Sequence, residues 1–355
     1  MKRVYLLLAG SLLGLAVLSG LYAVLTGYSS PTEFADPGLD AAVRDALEYP
    51  AGAHIPRNEL ERLTELEARN RGIERLDGIE SLPNLVRLDL RGNRVKDLSA
   101  LGDNTRLQSL SLRDNNIQDL ADVNLSALSG LPELRELNLR HNRGPAHPER
   151  PDEHARISDL APLAALEELE VLDLRDNHIE DLSPLAGLTR LRRLDLRDNR
   201  LSEDALTAIT GLGRLQHLNL RNNNLRDLSG LGELSGLQYL NIHSNEGIES
   251  ILPIGRLTGL EVLIMRNVLV EDDVQILAEL TGLRRLNLRN TGVRDLSVLA
   301  DLMADGTLQD DPESRRFAEL DIRENPISEQ GGSDYGILAE HWPNIARRHP
   351  QVLPE

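Results

Sequence analysis

The sequence has no cysteine, only two lysines, and aromatic side chains at 3 % of its 355 residues. Without thiols there can be no disulfide, no cysteine-ligated zinc or iron, no thiol catalysis and no lipidated cysteine after a leader. With two phenylalanines, one tryptophan and six tyrosines, the core has to be aliphatic. Basic residues are also in deficit, 39 against 57 acidic, for a net charge of −18. So acidic a chain is not expected to bind nucleic acid, because phosphate backbones are held by a surplus of Lys and Arg. Apart from Lys2 and Lys96 every basic residue is arginine, a bias that base composition alone could produce. Signatures of catalysis are missing as well: there is no G-x-x-x-x-G-K-S/T phosphate loop, no H-E-x-x-H and no G-x-S-x-G elbow. Carboxylates recur at regular intervals rather than as a shielded acid and base. The chain is therefore expected to be no enzyme and to need no cofactor.

One long apolar run is present. Val4 to Leu25 is uncharged, rich in leucine and preceded by Lys2 and Arg3. It exceeds the ~7–15 residues of a signal-peptide apolar region and reaches the ~20 of a spanning helix. It reads as an export element, either a retained anchor or a signal cleaved near Gly27-Tyr28-Ser29. The positive charges ahead of it keep the N-terminus inside and direct the rest out of the cytoplasm.

Beyond this run the sequence is periodic. Eleven segments fit L-x-x-L-x-L-x-x-N-x-I/L/V, starting at Leu63, Leu85, Leu107, Leu134, Leu169, Leu191, Leu215, Leu237, Leu260, Leu283 and Phe317. A typical unit, Leu169 to Arg190, reads LEVLDLRDNHIEDLSPLAGLTR. Leucines at the first, fourth and sixth positions point inward, and the alternation across them makes a short strand. No such unit buries its apolar face alone, so stacked units must share one core, with their strands forming one parallel sheet. The ninth-position asparagines, Asn93, Asn115, Asn142, Asn177, Asn199, Asn223, Asn245 and Asn325, should turn the chain inward while their amides satisfy neighbouring backbone groups. Arg71, Val268 and Thr291 replace them in three units. Asp97, Asp119, Asp159, Asp181, Asp227 and Asp295 are placed to cap a short helical turn on the return path.

Both ends look covered. Asp36-Pro37 starts an amphipathic helix with Leu39, Val43, Ala46 and Leu47 inward, and Asn58 to Glu61 has the pattern of a capping box. Ser333 to Arg348, with Ile337, Leu338, Trp342 and Ile345, is apolar enough to cover the last unit. The expected organisation is an export signal or anchor at 1–30, a helical cap at 31–62, eleven repeats over 63–332 and a C-terminal cap at 333–355.

These repeats, with the FADPGLDAAVRDAL segment before them, resemble the internalin-type leucine-rich repeat proteins of bacteria. The resemblance covers roughly residues 33–327. It implies an α/β solenoid, curved, with one parallel sheet on its concave face, displayed outside the cell and contacting protein or glycan there. The sequence given ends HPQVLPE, without that pattern's immunoglobulin-like domain or LPxTG-type wall anchor, so host-cell invasion is not implied.

Side chains at the third, fifth and seventh positions alternate onto the concave face, with the eighth at its rim. The seventh is Arg69, Arg91, Arg113, Arg140, Arg175, Arg197, Arg221, His243, Arg266, Arg289 and Arg323. Carboxylates of the neighbouring columns, among them Glu65, Glu67, Asp89, Asp114, Glu136, Asp173, Asp176, Asp195, Asp198, Glu319, Asp321 and Glu324, nearly balance them. Such a lattice reads as self-paired and solubilising, or as a ladder for an extended anion along Arg113, Arg140, Arg175, Arg197 and Arg289. It breaks once, in repeats seven to nine, where His217, Tyr239, Val262 and Ile264 occupy the outward columns between Arg221, His243 and Arg266, and Val268 takes the asparagine's place. An apolar and aromatic patch with an arginine rim fits a protein contact, or else a local repacking.

Two insertions remain. RGPAHPERPDEHAR in the fourth repeat carries His147 and His154 near His141, at spacings that match no zinc motif, and DGTLQDDPESRR lacks a calcium-loop pattern. Both are expected to be solvated loops without metal. The function expected is non-catalytic, extracytoplasmic protein recognition through the concave face, with acidic glycan binding or a structural envelope role as alternatives.

Overall fold

A computed structural model describes residues 34–117, 125–147, 150–202, 204–310, 318–327 and 338. Among them, eleven three-residue strands form a single parallel sheet in the order β1-β2-β3-β4-β7-β8-β9-β10-β11-β12-β13, the sheet of a curved leucine-rich repeat solenoid. The strands run from β1 (Glu65–Glu67) through β2 (Arg87–Asp89), β3 (Ser109–Ser111), β4 (Glu136–Asn138), β7 (Val171–Asp173) and β8 (Arg193–Asp195). They continue with β9 (His217–Asn219), β10 (Tyr239–Asn241), β11 (Val262–Ile264), β12 (Arg285–Asn287) and β13 (Glu319–Asp321). Register is in phase throughout, the fourth-position leucines pairing in sequence, as Leu172 with Leu194 and Leu194 with Leu218.

The core follows from the repeat. In the unit from Leu169, the side chains of Leu172, Leu174, Ile179, Leu182, Leu185 and Leu188 are all fully buried. Each contributes about 1.5–3 kcal/mol on burial, and truncating one to alanine costs about 2–5 kcal/mol. The chain returns along the outer side through short 3-10 turns such as Ser183–Leu185. Asp181 accepts the Ser183 N–H at 2.8 Å, and Asp97, Asp159, Asp227 and Asp295 do the same for their own turns. The expected cap thus acts from one residue further out, because a leucine pointing into the core holds the capping position itself. Asp119 lies outside the described residues.

The asparagines join successive repeats. Asn93 Nδ2 donates to the carbonyls of Leu90 and of Ala68 in the previous unit, both at 2.7 Å, and its Oδ1 accepts the N–H groups of Arg71 and Ile73. Asn115, Asn142, Asn199, Asn223, Asn245 and Asn325 likewise donate to a carbonyl of the previous unit and accept at least one of its N–H groups. Asn177 donates likewise to Leu139 and Leu174, but its Oδ1 is buried and unpartnered. The insertion just before it in space explains this. It is not a loop but an antiparallel hairpin, β5 (Arg143–His147) with β6 (Arg150–Arg156), which diverts the backbone that would have donated. At its foot Asp176 takes hydrogen bonds from both His141 and Arg156.

At the N-terminal end, Asp36 caps the helix Pro37–Leu47 through the N–H groups of Gly38 and Leu39 and latches it to the first repeat through those of Glu74 and Arg75. A Cβ at Gly38 would stand 2.4 Å from the Arg71 carbonyl, so only glycine allows this approach. Leu39 and Val43 face inward as expected, but Ala46 is exposed. Its place inside goes to Ala42 and to Arg44, whose guanidinium reaches Asp40 and the carbonyls of Pro50 and Ala53. No capping box forms at Asn58, which lies within the short helix Arg57–Leu60 behind Pro56. In the second insertion Thr307 and Leu308 are buried, bonded to Thr281 and Leu283, rather than solvated. Of the C-terminal cap only Leu338 is described, helical and buried. Among the described residues no helix is long and apolar enough to cross a membrane and no group of side chains could hold a metal ion; Val4 to Leu25 lies outside them.

Candidate protein-recognition face

Where it is Asp or Asn, the fifth position of a repeat shapes the turn that follows it. Its side-chain oxygen accepts the backbone N–H of the seventh position, from Asp89 to Arg91 at 3.1 Å, Asn138 to Arg140 at 3.0 Å, Asn219 to Arg221 at 3.2 Å and Asn241 to His243 at 3.0 Å. Asp and Asn serve this turn equally well. Only Asp also supplies a charge to the arginine that follows.

Where the fifth residue is Asp, that arginine is paired: Arg91 with Asp89 at 2.8 Å, Arg175 with Asp173 at 2.5 Å, Arg323 with Asp321 at 2.7 Å and, more loosely, Arg197 with Asp195 at 3.8 Å. Arg69 crosses to Asp89 at 2.7 Å, Arg113 turns to Asp114 at 2.9 Å, and Arg289 reaches Glu324 of the next repeat. Where the fifth residue is Asn or Ile, three arginines have no ion pair among the described residues. They are Arg140 after Asn138, Arg221 after Asn219, and Arg266 after Ile264. The Nε atoms of Arg140 and Arg266 are buried without a partner. Burial, reinforced by Arg175, Arg113 and Arg197, lowers the Arg140 pKa from its ordinary value. Of the five arginines of the expected anion ladder, four are thus already bound to carboxylates.

The break in repeats seven to nine lies on adjacent strands. Tyr239 is in register with His217 on one side and Val262 on the other, and Asn241 with Ile264. The His217 and Tyr239 rings stack with centroids 3.9 Å apart and planes 11° from parallel. Tyr239, Val262, Ile264, His217, His243 and Arg266 are half-buried, and Arg221 is exposed. Burial, helped by Arg193, lowers His217 to about 4, and burial with Arg221 and Arg266 lowers His243 to about 4, so both imidazoles are neutral at pH 7. Val268 does not join this surface. It is fully buried, its N–H closing a local turn onto the Met265 carbonyl in place of the missing amide bridge.

Three features went unread in the sequence. A fifth position without a carboxylate removes the nearest partner of the arginine that follows, as at Arg140, Arg221 and Arg266, unless a neighbouring acid such as Glu324 beside Arg289 replaces it; the alternation of Asp with Asn in that column was the visible signal. The eighth position is left-handed in every repeat: Asn70, Asp114, His141, Asp176, Asp198, Asn222, Ser244, Asn267, Asn290 and Glu324 have φ of 54° to 62°, and Gly92 has 69°. Its bias to Asn, Asp and Gly is therefore conformational as much as electrostatic. Leu269, on the loop leaving β11, is 60 % exposed and adds apolar surface to the same repeat.

Family models for leucine-rich repeats match residues 83–143 and 189–246, 61–103, and 168–182. Among solved structures, an internalin (InlF) from Listeria monocytogenes is 29 % identical over 90 % of this chain and 84 % of its own, with a TM-score of 0.73. Internalin C2 (InlC2) from the same species is 30 % identical over 65 % of this chain and 94 % of its own, with a TM-score of 0.56. A leucine-rich repeat protein from Leptospira interrogans, 20 % identical over 82 % of this chain and 85 % of its own at a TM-score of 0.53, shares the fold. No curated protein sequence matches the chain. The architecture is that of a protein-interaction module, a kind of scaffold that is typically non-enzymatic. With its repeats in unbroken phase and this likeness spanning nearly all of internalin C2, the chain belongs to the internalin-type leucine-rich repeat proteins of bacteria.

Proposed function

We propose that the protein is a non-catalytic, extracytoplasmic recognition module that binds another protein on the concave face of repeats seven to nine. The observation that carries this reading is the local replacement of the ion-paired lattice by half-buried Tyr239, Val262 and Ile264, flanked by Arg221 and Arg266, which form no ion pair among the described residues. Apolar and aromatic side chains on a rigid sheet lose little entropy on docking, and a polar surround excludes water from them. His217 supports Tyr239 by stacking on it, which fixes the ring before a partner arrives. Export is inferred from Val4 to Leu25 behind Lys2 and Arg3, which would either hold the repeats at the membrane or release them after cleavage.

The test compares the wild-type chain with a Tyr239→Ala/Ile264→Asp variant, confirmed as folded, for capture of surface proteins and for binding to a glycan panel. Loss of a captured protein by the variant, by about thirtyfold or more in affinity, is the expected result. Equal capture by both would remove repeats seven to nine as the contact. Retention of a glycan by both, lost at raised salt, would favour the arginine column instead.

A further inference from the structure

Most seventh-position arginines of the concave face are ion-paired, which makes the exceptions in that column informative. Three seventh-position arginines lack a carboxylate, and two of them, Arg221 and Arg266, flank one residue, His243. The backbone fixes this arrangement: Asn222 N–H donates to the His243 carbonyl at 2.8 Å and Ser244 N–H to the Arg266 carbonyl at 3.0 Å, so the three turns are immediate neighbours. At ~4.8 Å between strands, Arg221 and Arg266 start roughly 10 Å apart, a span that two guanidiniums can close over the intervening ring. The imidazole between them is neutral and has a nitrogen free to donate to an acceptor. The third exception, Arg140, is solitary, set between the paired Arg113 and Arg175.

Resting on the reading above, we propose that the partner presents a carboxylate side chain beside an apolar one, the apolar group on Tyr239, Val262 and Ile264 and the carboxylate between Arg221 and Arg266. A guanidinium without an ion pair is stabilised most by a bidentate carboxylate. A long polyanion fits less well, because along the rest of the column it would have to displace Asp89, Asp114, Asp173 and Glu324 from arginines they already hold, against a chain of net charge −18. A single acidic residue between Arg221 and Arg266 has no ion pair to displace among the described residues. The occupant is therefore a protein segment with one or two acidic residues next to an aliphatic or aromatic one.

The experiment pans a random-peptide display library on the full chain and follows the enriched peptides with three variants: Arg221→Gln/Arg266→Gln, Arg140→Gln, and Tyr239→Ala/Ile264→Asp. The proposal expects Asp or Glu beside an apolar residue in the enriched sequences, an affinity loss of about tenfold or more in the double arginine variant, and no change in Arg140→Gln. It also expects the His243 imidazole, followed by NMR, to titrate at higher pH when such a peptide is bound, since a nearby carboxylate favours its charged form. Enriched peptides that are apolar without acid and bind the double arginine variant equally well would overturn the acidic determinant while leaving the apolar contact standing. Peptides that bind Tyr239→Ala/Ile264→Asp as well as wild type would overturn the contact site itself. Failure to enrich any sequence would overturn a determinant of this linear kind.

Discussion

Repeats five and six and repeats seven to nine share one backbone, one strand length and one register, yet they differ in what the strand offers to solvent. In repeats five and six the fifth position is Asp173 and Asp195, which hold both the turn and the arginine. In repeats seven and eight it is Asn219 and Asn241, which hold only the turn, and in repeat nine it is Ile264, which holds neither. The same scaffold is thereby changed from a self-neutralised surface into one with unpaired arginine around apolar side chains. An exchange of Asp for Asn leaves the turn unaltered and removes the charge nearest the arginine that follows.

That comparison can be broken most strongly through the bridges that keep the two regions in phase. Asn223 links repeats six and seven by donating to Leu196 and Leu220 and accepting from Leu201. Asn223→Ala should cost about 3 kcal/mol in urea unfolding, since buried backbone groups lose their partners, whereas Val268→Asn, at the site that already does without a bridge, should gain nothing.

A pH-dependent effect should also separate the regions. His217 and His243, both in the second region, sit at about 4 in the folded chain against an ordinary 6.5. Unfolding restores the ordinary value, so the stability gained by keeping them neutral is complete above about pH 6.5 and is lost as pH falls toward 4. Thermal melts over that window should show a decline that is reduced in a His217→Gln/His243→Gln variant. An undiminished decline would place the acid sensitivity in the carboxylates instead.

The regions should also be interchangeable at low energetic cost. Ile264→Asp gives Arg266 the kind of partner that Arg175 and Arg197 have in Asp173 and Asp195, and should alter stability by less than about 1 kcal/mol, because half-exposed ion pairs are worth little. A larger loss in chemical denaturation would mean that Ile264 is core rather than surface. The smallest effect is expected at Asp195. Burial raises its pKa, opposed by Arg197 and Arg175 at 3.8 Å and 3.7 Å, so its contribution favours acid and is lost as pH rises. Asp195→Asn should keep the turn at Arg197 and leave stability at pH 7 within about 1 kcal/mol of wild type, as measured by urea titration.

Much of this was legible in the residues. The leucine period dictates the sheet, its phase and the inward side chains, and the alternation of polar positions by itself makes Tyr239, Val262 and Ile264 neighbours. Period is readable because each repeat meets its neighbours in the same way. What resisted reading departs from that period. The hairpin at Arg143–His147 and Arg150–Arg156 reads as a loop in the sequence because proline argues against strands, but an antiparallel pair leaves half its N–H groups unbonded and tolerates it there. Ala46 and Arg44 exchanged places because a long arginine can bury its stem while satisfying carbonyls, a choice that depended on where Pro50 and Ala53 ended up.

By itself, the sequence determined that this is an aliphatic, acidic solenoid with an arginine column and one apolar interruption, since those properties follow from composition and period alone. Only the tertiary structure decided which arginines keep their charge available. Pairing depends on whether a carboxylate two residues back, one residue on or one strand away comes within reach, and those distances exist only once the repeats are stacked.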